Sequence, residues 1–346
     1  NLLRYVILFP QTREGKEMSS KGFERNFGFS DFIIADHEAL HALDDVEGLF
    51  DWASFEGMLE RLYPGRRGRP SHPLLMLFRI ALLQHLHRVD SDIQMEALLA
   101  RDLLFRKFCG LAADQQPPSH DTISRFRRRL AASGLWEQLL EVINTQLAER
   151  GIIIKEGQVS IMDATIVEAH QTQGKTKDKE AGWCVKNSSK GKKTATYGYK
   201  VHSNCDEDGF ITRQAVTPGN VYDGHMREEL LTGEETQLYA DSVYDSKAGR
   251  KDLQRRRIQS RVQRKGCRHQ KLTGVDHAWN KEVGVMRSVI EHQFAEYKER
   301  YGLRRSRFVG LTMNACHAGL VAIAHNLKKG LRFYQLYGLP QPLNVG

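Results

Sequence analysis

The hydrophobic period changes once along this chain, near residue 150, and no single class of secondary structure accommodates both halves. From 71 to 150 the apolar residues recur at helical steps, beginning with Leu74, Leu75, Leu77, Phe78, Ala81, Leu82 and Leu86. Ser91 and Asp92 can cap a following helix that carries Met95, Leu98 and Leu99. Pro117-Pro118-Ser119-His120-Asp121 ends a loop and opens another helix. That helix has Ile123, Phe126 and Leu130 on one side and Arg125, Arg127, Arg128 and Arg129 on the others. A helix, a short turn and a basic helix outline a helix-turn-helix, although a surface helix with an arginine-rich solvent face has the same pattern.

Beyond 150 the period becomes two. Val159, Ile161, Asp163, Thr165 and Val167 share one face of an alternating run. Tyr197, Tyr199 and Val201 alternate again, Cys205-Asp-Glu-Asp-Gly209 is a turn, and 210–216 is a returning strand, which together form a hairpin signal. A short helix over 222–231, a buried strand at Leu238-Tyr-Ala240, a helix over 246–257, a strand over 258–262 and a long helix over 282–301 follow. Residues 311–336 close the chain as helix. This order predicts a mixed α+β (α/β) architecture: one mixed sheet flanked by helices, preceded by an all-α region. The expected domains are an N-terminal segment with a basic linker (18–70), a helical domain (71–150), a sheet domain (151–310) and a C-terminal helix and tail (311–346). Met18 reads as a natural start, so 1–17 reads as an upstream extension. The linker ends in a Gly/Pro/Arg loop, 64–70, suited to a solvated connection or to an arm on phosphates. No internal repeat is visible.

At 346 residues, with 40% hydrophobic and 27% charged residues, the chain has the composition of a folded globular protein. Lys and Arg number 51 against 42 acids, a formal charge of +9, which suits an acidic partner such as nucleic acid. Between 250 and 271 there are ten Lys/Arg and one acid, and between 175 and 200 eight Lys and two acids. Arg255, Arg256 and Arg257 stand in the first of these runs; such segments make phosphate contacts or are simply solvated. Trp183 has the chemistry to stack on a base and equally to pack on the surface. The five cysteines are widely spaced without a CxxC, which argues against a disulfide framework or zinc ribbon and for a reducing, cytoplasmic compartment. Cys267, His269 and His277 lack ligand spacing. No apolar run is long enough to predict a membrane span.

Three carboxylates stand out. Asp163 lies inside an apolar strand, and Asp241 follows one directly. A carboxylate so placed is costly unless it is paired, hydrogen-bonded or bound to a cation, and two on neighbouring strands repel unless a divalent ion intervenes. On the long helix, Arg287 lies at about −40° and Lys298 at about −20° from Glu291, so the three share a face, with Phe294 beside them at about −60°. Glu296, at about 140°, points away. A surface ion-pair ladder has the same spacing. As a site, Asp163, Asp241 and Glu291 form an oxygen-donor set for a hard cation such as Mg²⁺.

These residues resemble the DDE transposases of the insertion-sequence four and five group. The resemblance rests on Asp163-Ala-Thr, Asn220-Val-Tyr-Asp223, Tyr239-Ala-Asp241 with Tyr244-Asp245, and Arg287-x₃-Glu291-x₆-Lys298. Upstream, Arg66-Arg-Gly-Arg-Pro70 and the 119–129 stretch are similar to that group's amino-terminal helical region. The resemblance implies an RNase H-like catalytic domain with Asp163, Asp241 and Glu291 as catalytic and metal-binding acids. It implies Arg287 and Lys298 as DNA-contacting or Glu-supporting residues, with Asn220, Asp223 and Tyr244 in supporting places. The implied cofactor is Mg²⁺ or Mn²⁺. The implied partners are the double-stranded DNA of insertion-sequence ends and target, plus further copies of the chain in a synaptic complex, in the bacterial cytoplasm at the nucleoid. Gly284 replaces the family's usual Tyr, and Asp241-Ser-Val-Tyr244 stands where Asp-x-Gly-Tyr is common. A nuclease of the same fold, or a decayed copy that only binds DNA, would fit the same residues.

Overall fold

The computed structural model describes residues 37–63, 72–153, 158–169, 178–187, 193–266 and 271–338. The expected 1–17 extension, the expected 64–70 loop, residues 175–177 and 188–192 of the lysine run, Cys267 and His269 lie outside them.

The amino-terminal half is helical. It comprises α1 (Asp44–Leu49), α2 (Ala53–Leu59), α3 (Leu74–Leu86), α4 (Asp92–Arg101), α5 (Leu103–Cys109), α6 (His120–Ser133) and α7 (Trp136–Glu149). α3 is apolar nearly all round, and every residue from Leu74 to His85 is buried, as expected for a helix surrounded by others. α6 begins at Ser119, whose hydroxyl accepts from the Thr122 amide, and ends at Gly134 in the left-handed conformation (φ 67°). The structure departs here from the helix-turn-helix outline. α5 lies between α4 and α6, and residues 110–119 then connect α5 to α6, so no short turn joins the basic helix to the one before it.

The second half builds one sheet from β1 (Val159–Glu168), β2 (Gly182–Asn187), β3 (Lys193–Cys205), β4 (Ile211–Pro218), β5 (Gln237–Ala240) and β6 (Gln259–Val262). Its helices are α8 (Arg227–Leu230), α9 (Lys247–Arg255), α10 (Gly274–Glu299) and α11 (Leu311–Tyr337). β3 is the hub. One edge pairs antiparallel with β1, and the other pairs first with β2 and then with β4. β1, β5 and β6 run parallel. A three-stranded antiparallel unit continued by two parallel strands is the RNase H-like arrangement. β2 is the element that the charge run concealed: Gly182 to Asn187 lie within the lysine-rich stretch, yet they pair with the first half of β3. α10 starts earlier than the apolar pattern indicates because Thr273 and Asp276 form a reciprocal capping box.

The two faces of the sheet have separate cores. Met162, Leu238 and Ala240 face Met226, Leu230 and Leu253 from the α8 and α9 side. Ile161 and Tyr239, on the other face, join Val283, Ile290 and Phe294 of α10. That second core continues without a break through α11 into α3, α6 and α7. α11 is therefore not an appendage. It is buried from Cys316 to Leu327 and joins the helical half to the sheet. At its closest approach to α7, a Cβ on Gly319 would overlap the Trp136 ring, so glycine alone permits that spacing.

Candidate active site

β1 has ten residues and β5 only four, so β1 runs on after its parallel partner stops. The last paired positions are Met162 and Ala240. Asp163 and Asp241 are the next residue on each strand, so they stand side by side on backbones ~4.8 Å apart. Side chains alternate, so both acids project from the Ile161/Tyr239 face, where α10 packs. Parallel strands place ligands in such crevices, beyond their carboxyl ends.

Each acid is held. The Asp163 Oδ1 accepts from the Ala164 amide at 2.8 Å, and its Oδ2 accepts from the Arg287 Nη2 at 2.9 Å. Burial pushes the Asp163 carboxyl up from its ordinary range, the Arg287 charge opposes this, and the Asp241 charge adds to the upward push. The Asp241 carboxylate accepts from the Val243 amide and caps the 3₁₀ turn Ser242–Tyr244. Arg287 also donates to the Gln263 Oε1 at 3.1 Å and approaches the Glu291 Oε1 at 3.6 Å. Glu291 is 58% exposed. The acids are thus joined as Asp163–Arg287–Glu291, with a guanidinium between them. Among the described residues no three acids, histidines or cysteines stand close enough together to hold a metal. The donor types still suit a hard cation: two adjacent carboxylates, a third one helical turn from the arginine, and the buried Tyr244 hydroxyl, which has no hydrogen-bond partner.

The supporting residues divide. Asp223 accepts from the Lys200 Nζ at 2.7 Å and lies 3.9 Å from the His202 Nδ1. Burial holds His202 down to about 4, against the pull of Asp223. Tyr222 donates to the Val243 carbonyl at 2.8 Å, tying the 222–226 loop to the turn after Asp241. Asn220 is exposed and its side chain lies against Gly182. Lys200, His202, Gln263 and Tyr222 were not singled out from the sequence. The alternation of Lys200 and His202 on one strand face was the available signal. Glu296 pairs with Arg300 and His325, away from the acids, as its helical angle indicated.

The basic residues need one correction. Arg127 is 3% exposed, bonded to the Asp92 Oδ2 at 2.8 Å and the Gln84 Oε1 at 2.6 Å, and so is a core residue rather than a DNA contact. At 100° per residue it falls about 40° from Ile123, at the edge of the apolar face. Arg125, Arg128 and Arg129 are exposed, with Arg129 stacked on the Tyr63 ring at 3.9 Å. Arg255 and Arg256 both pair with Asp252, and Arg257 is exposed just beyond. Lys298 is half-buried on α10.

An RNase H-like sheet with one carboxylate inside β1 and another directly after its parallel neighbour β5 defines a class of phosphoryl-transfer proteins. The transposase DDE domain model matches residues 154–327, and a transposase domain model (DUF772) matches 30–129. The transposase for insertion sequence element IS1106 of Neisseria meningitidis serogroup B is 31% identical over 224 residues, covering 59% of this chain and 76% of that protein. The chain belongs to the DDE transposase family, whose members use divalent metal ions. Among solved structures, that of a pre-cleavage Mos1 transpososome shares 9% identity over 70% of this chain and 78% of its own, with a TM-score of 0.18, too low for any argument about this fold. No helix among the described residues is long and apolar enough to cross a membrane.

Proposed function

We propose that this transposase cuts DNA at the ends of an insertion sequence and joins the freed 3′-OH to target DNA, with Asp163, Asp241 and Glu291 as its catalytic acids. The observation that carries the site is the neighbouring placement of Asp163 and Asp241 at the end of β5, facing the helix that bears Arg287 and Glu291. In the first step water bonds to phosphorus and the bond to the 3′ oxygen breaks. In the second, that 3′ oxygen bonds to a target phosphorus and a target 3′ oxygen leaves. Bound Mg²⁺ or Mn²⁺ would supply activation of the attacking oxygen and stabilisation of the leaving one. Asp163 and Asp241 would hold the metal from the sheet, and Glu291 from α10. Arg287, already beside Asp163, would balance the acids' charge or meet a phosphate, and Lys298 lies seven residues beyond Glu291 on the same helix. Asn220, Asp223 and Tyr244 would support the acids from the loops beyond β4 and β5.

Sequence-independent affinity would come from the exposed bases of α6 (Arg125, Arg128, Arg129) and of the α9 end (Arg255, Arg256, Arg257). Two element ends must be brought together, which supports a homo-oligomer on terminal-repeat DNA in the bacterial cytoplasm. Asp163→Asn and Asp241→Asn should each abolish cleavage of end-bearing DNA with Mg²⁺ or Mn²⁺; full retained cleavage sinks the assignment. A pre-cleaved end supplied with target DNA separates transposase from nuclease, because only the transposase joins them.

A further inference from the structure

A tyrosine near the surface usually buries its ring and leaves its hydroxyl in water. Tyr222 does the reverse. It is 52% exposed, yet its hydroxyl is spent on the protein, donating to the Val243 carbonyl at 2.8 Å. Val243 in turn gives its amide to the Asp241 carboxylate. The ring is therefore two hydrogen bonds away from a proposed catalytic acid. The chain on either side of it is fixed as well. The Lys200 ammonium donates to the Val221 carbonyl at 2.8 Å and to the Asp223 Oδ1 at 2.7 Å. Gly224 makes room for the ring, since a Cβ there would stand 2.7 Å from both the ring Cε1 and the Val243 oxygen. The His225 ring meets it edge-on, with centroids 5.4 Å apart.

Holding apolar surface in water is unfavourable, and so is ordering a side chain, so stability alone does not explain the arrangement. An aromatic face fixed in solvent is a ready stacking surface, because its ordering is complete before a ligand arrives. Its position selects the ligand. The ring stands beside the turn after Asp241, at the site where the 3′ oxygen is proposed to leave and then attack. In uncut DNA each base is stacked on both sides. After the cut, the base that carries the new 3′-OH is no longer linked to its neighbour and can give one face to another ring. We propose that Tyr222 stacks on this 3′-terminal base and holds the cut end at the acids for joining. Stacking accepts any base, so the contact needs no particular terminal sequence. The inference rests on Asp163, Asp241 and Glu291 forming the active site, as proposed above.

The test measures affinity of the full chain for a pre-cut duplex ending in the element's 3′-OH, without target DNA. A second duplex has an abasic sugar as its 3′-terminal nucleotide. Wild type should bind the abasic end about fivefold or more weakly. Tyr222→Ala should bind the normal end about fivefold or more weakly than wild type and should bind the two ends within about twofold of each other. Tyr222→Phe keeps the ring and should stay within about threefold of wild type on the normal end. A Tyr222→Ala variant that still discriminates the abasic end as wild type does overturns the inference, because its ring is then not on that base. So does a Tyr222→Phe variant as weak as Tyr222→Ala, which would assign the effect to the Val243 tie instead of the ring. Asp163→Asn separates the two readings. If it cleaves uncut end DNA like wild type, the site assignment fails and this inference with it. If it is inactive while Tyr222→Ala keeps the wild-type dependence on the terminal base, only the role of Tyr222 fails.

Discussion

Arg287 is the residue on which the metal-free site balances. Its guanidinium is 11% exposed and neutralises Asp163, whose neighbour Asp241 adds a second negative charge. Arg287→Ala should destabilise the metal-free protein by about 2–3 kcal/mol, because it leaves a buried carboxylate without its cation. Millimolar Mg²⁺ or Mn²⁺ should restore most of that stability, whereas wild type should gain less. Melting curves with and without the ion check this; an ion-independent deficit would mean that the arginine serves packing alone. A second residue-scale effect lies far from the acids. His85 and His317 face each other across α3 and α11, ring centroids 5.2 Å apart, with no partner on the His85 Nε2 or on either His317 nitrogen. Burial holds His85 at about 3 and His317 well below its ordinary value, with the Arg307 and Arg127 charges adding to both. The native state therefore binds fewer protons than the unfolded chain below the ordinary histidine value. Stability should be full above about pH 6.5 and fall by up to ~1.4 kcal/mol per pH unit for each histidine as the pH drops below it. Denaturant titrations at pH 7 and pH 5 check this: in His317→Leu the difference between the two should shrink.

At the scale of elements, α6 shows how a basic helix divides its charge. Arg127 lies on the core face and ties α6 to α3 and α4 through Gln84 and Asp92, while Arg125 and Arg128 face solvent. Arg127→Ala should cost roughly 3 kcal/mol of stability, since Asp92 is left half-buried without its partner. Arg125→Ala with Arg128→Ala should leave stability nearly unchanged. It should lower the dependence of DNA affinity on salt by about 0.9 in log–log slope for each phosphate that is no longer neutralised. Affinity measured across a salt series, beside melting curves, distinguishes the two effects. If Arg127→Ala alters only the slope, the placement of α6 is wrong.

At the scale of the molecule, the helical half and the sheet share one continuous core through α11. The boundary near 150, so clear as a change of period, is not a boundary in packing. The full chain should unfold in a single calorimetric transition. A fragment of residues 71–150 should not melt cooperatively, because its α3, α6 and α7 faces lose α11. Two separated transitions in the full chain would contradict a shared core. A single transition would mean that the basic helix and the acids on the sheet are mechanically joined rather than tethered.

Much of the site follows from local rules that a sequence obeys. Asp163 inside an apolar alternation and Asp241 at a strand end are local features, as is the α10 face carrying Arg287 and Glu291, so periodicity alone locates them. Arg127 was legible too, because its angle to Ile123 sets it at the edge of the apolar face; a helical wheel places charged residues as readily as apolar ones. What periodicity cannot carry is pairing between distant segments. That Met162 stands opposite Ala240, that Arg287 bonds Asp163 and so keeps a cation of the chain's own among the acids, and that α11 seals two halves into one core are all long-range outcomes. They depend on register and on three-dimensional packing, in which residues far apart in the chain exclude water from the same space. The sequence determined the elements and the chemistry they carry; only the tertiary structure decided which charges meet.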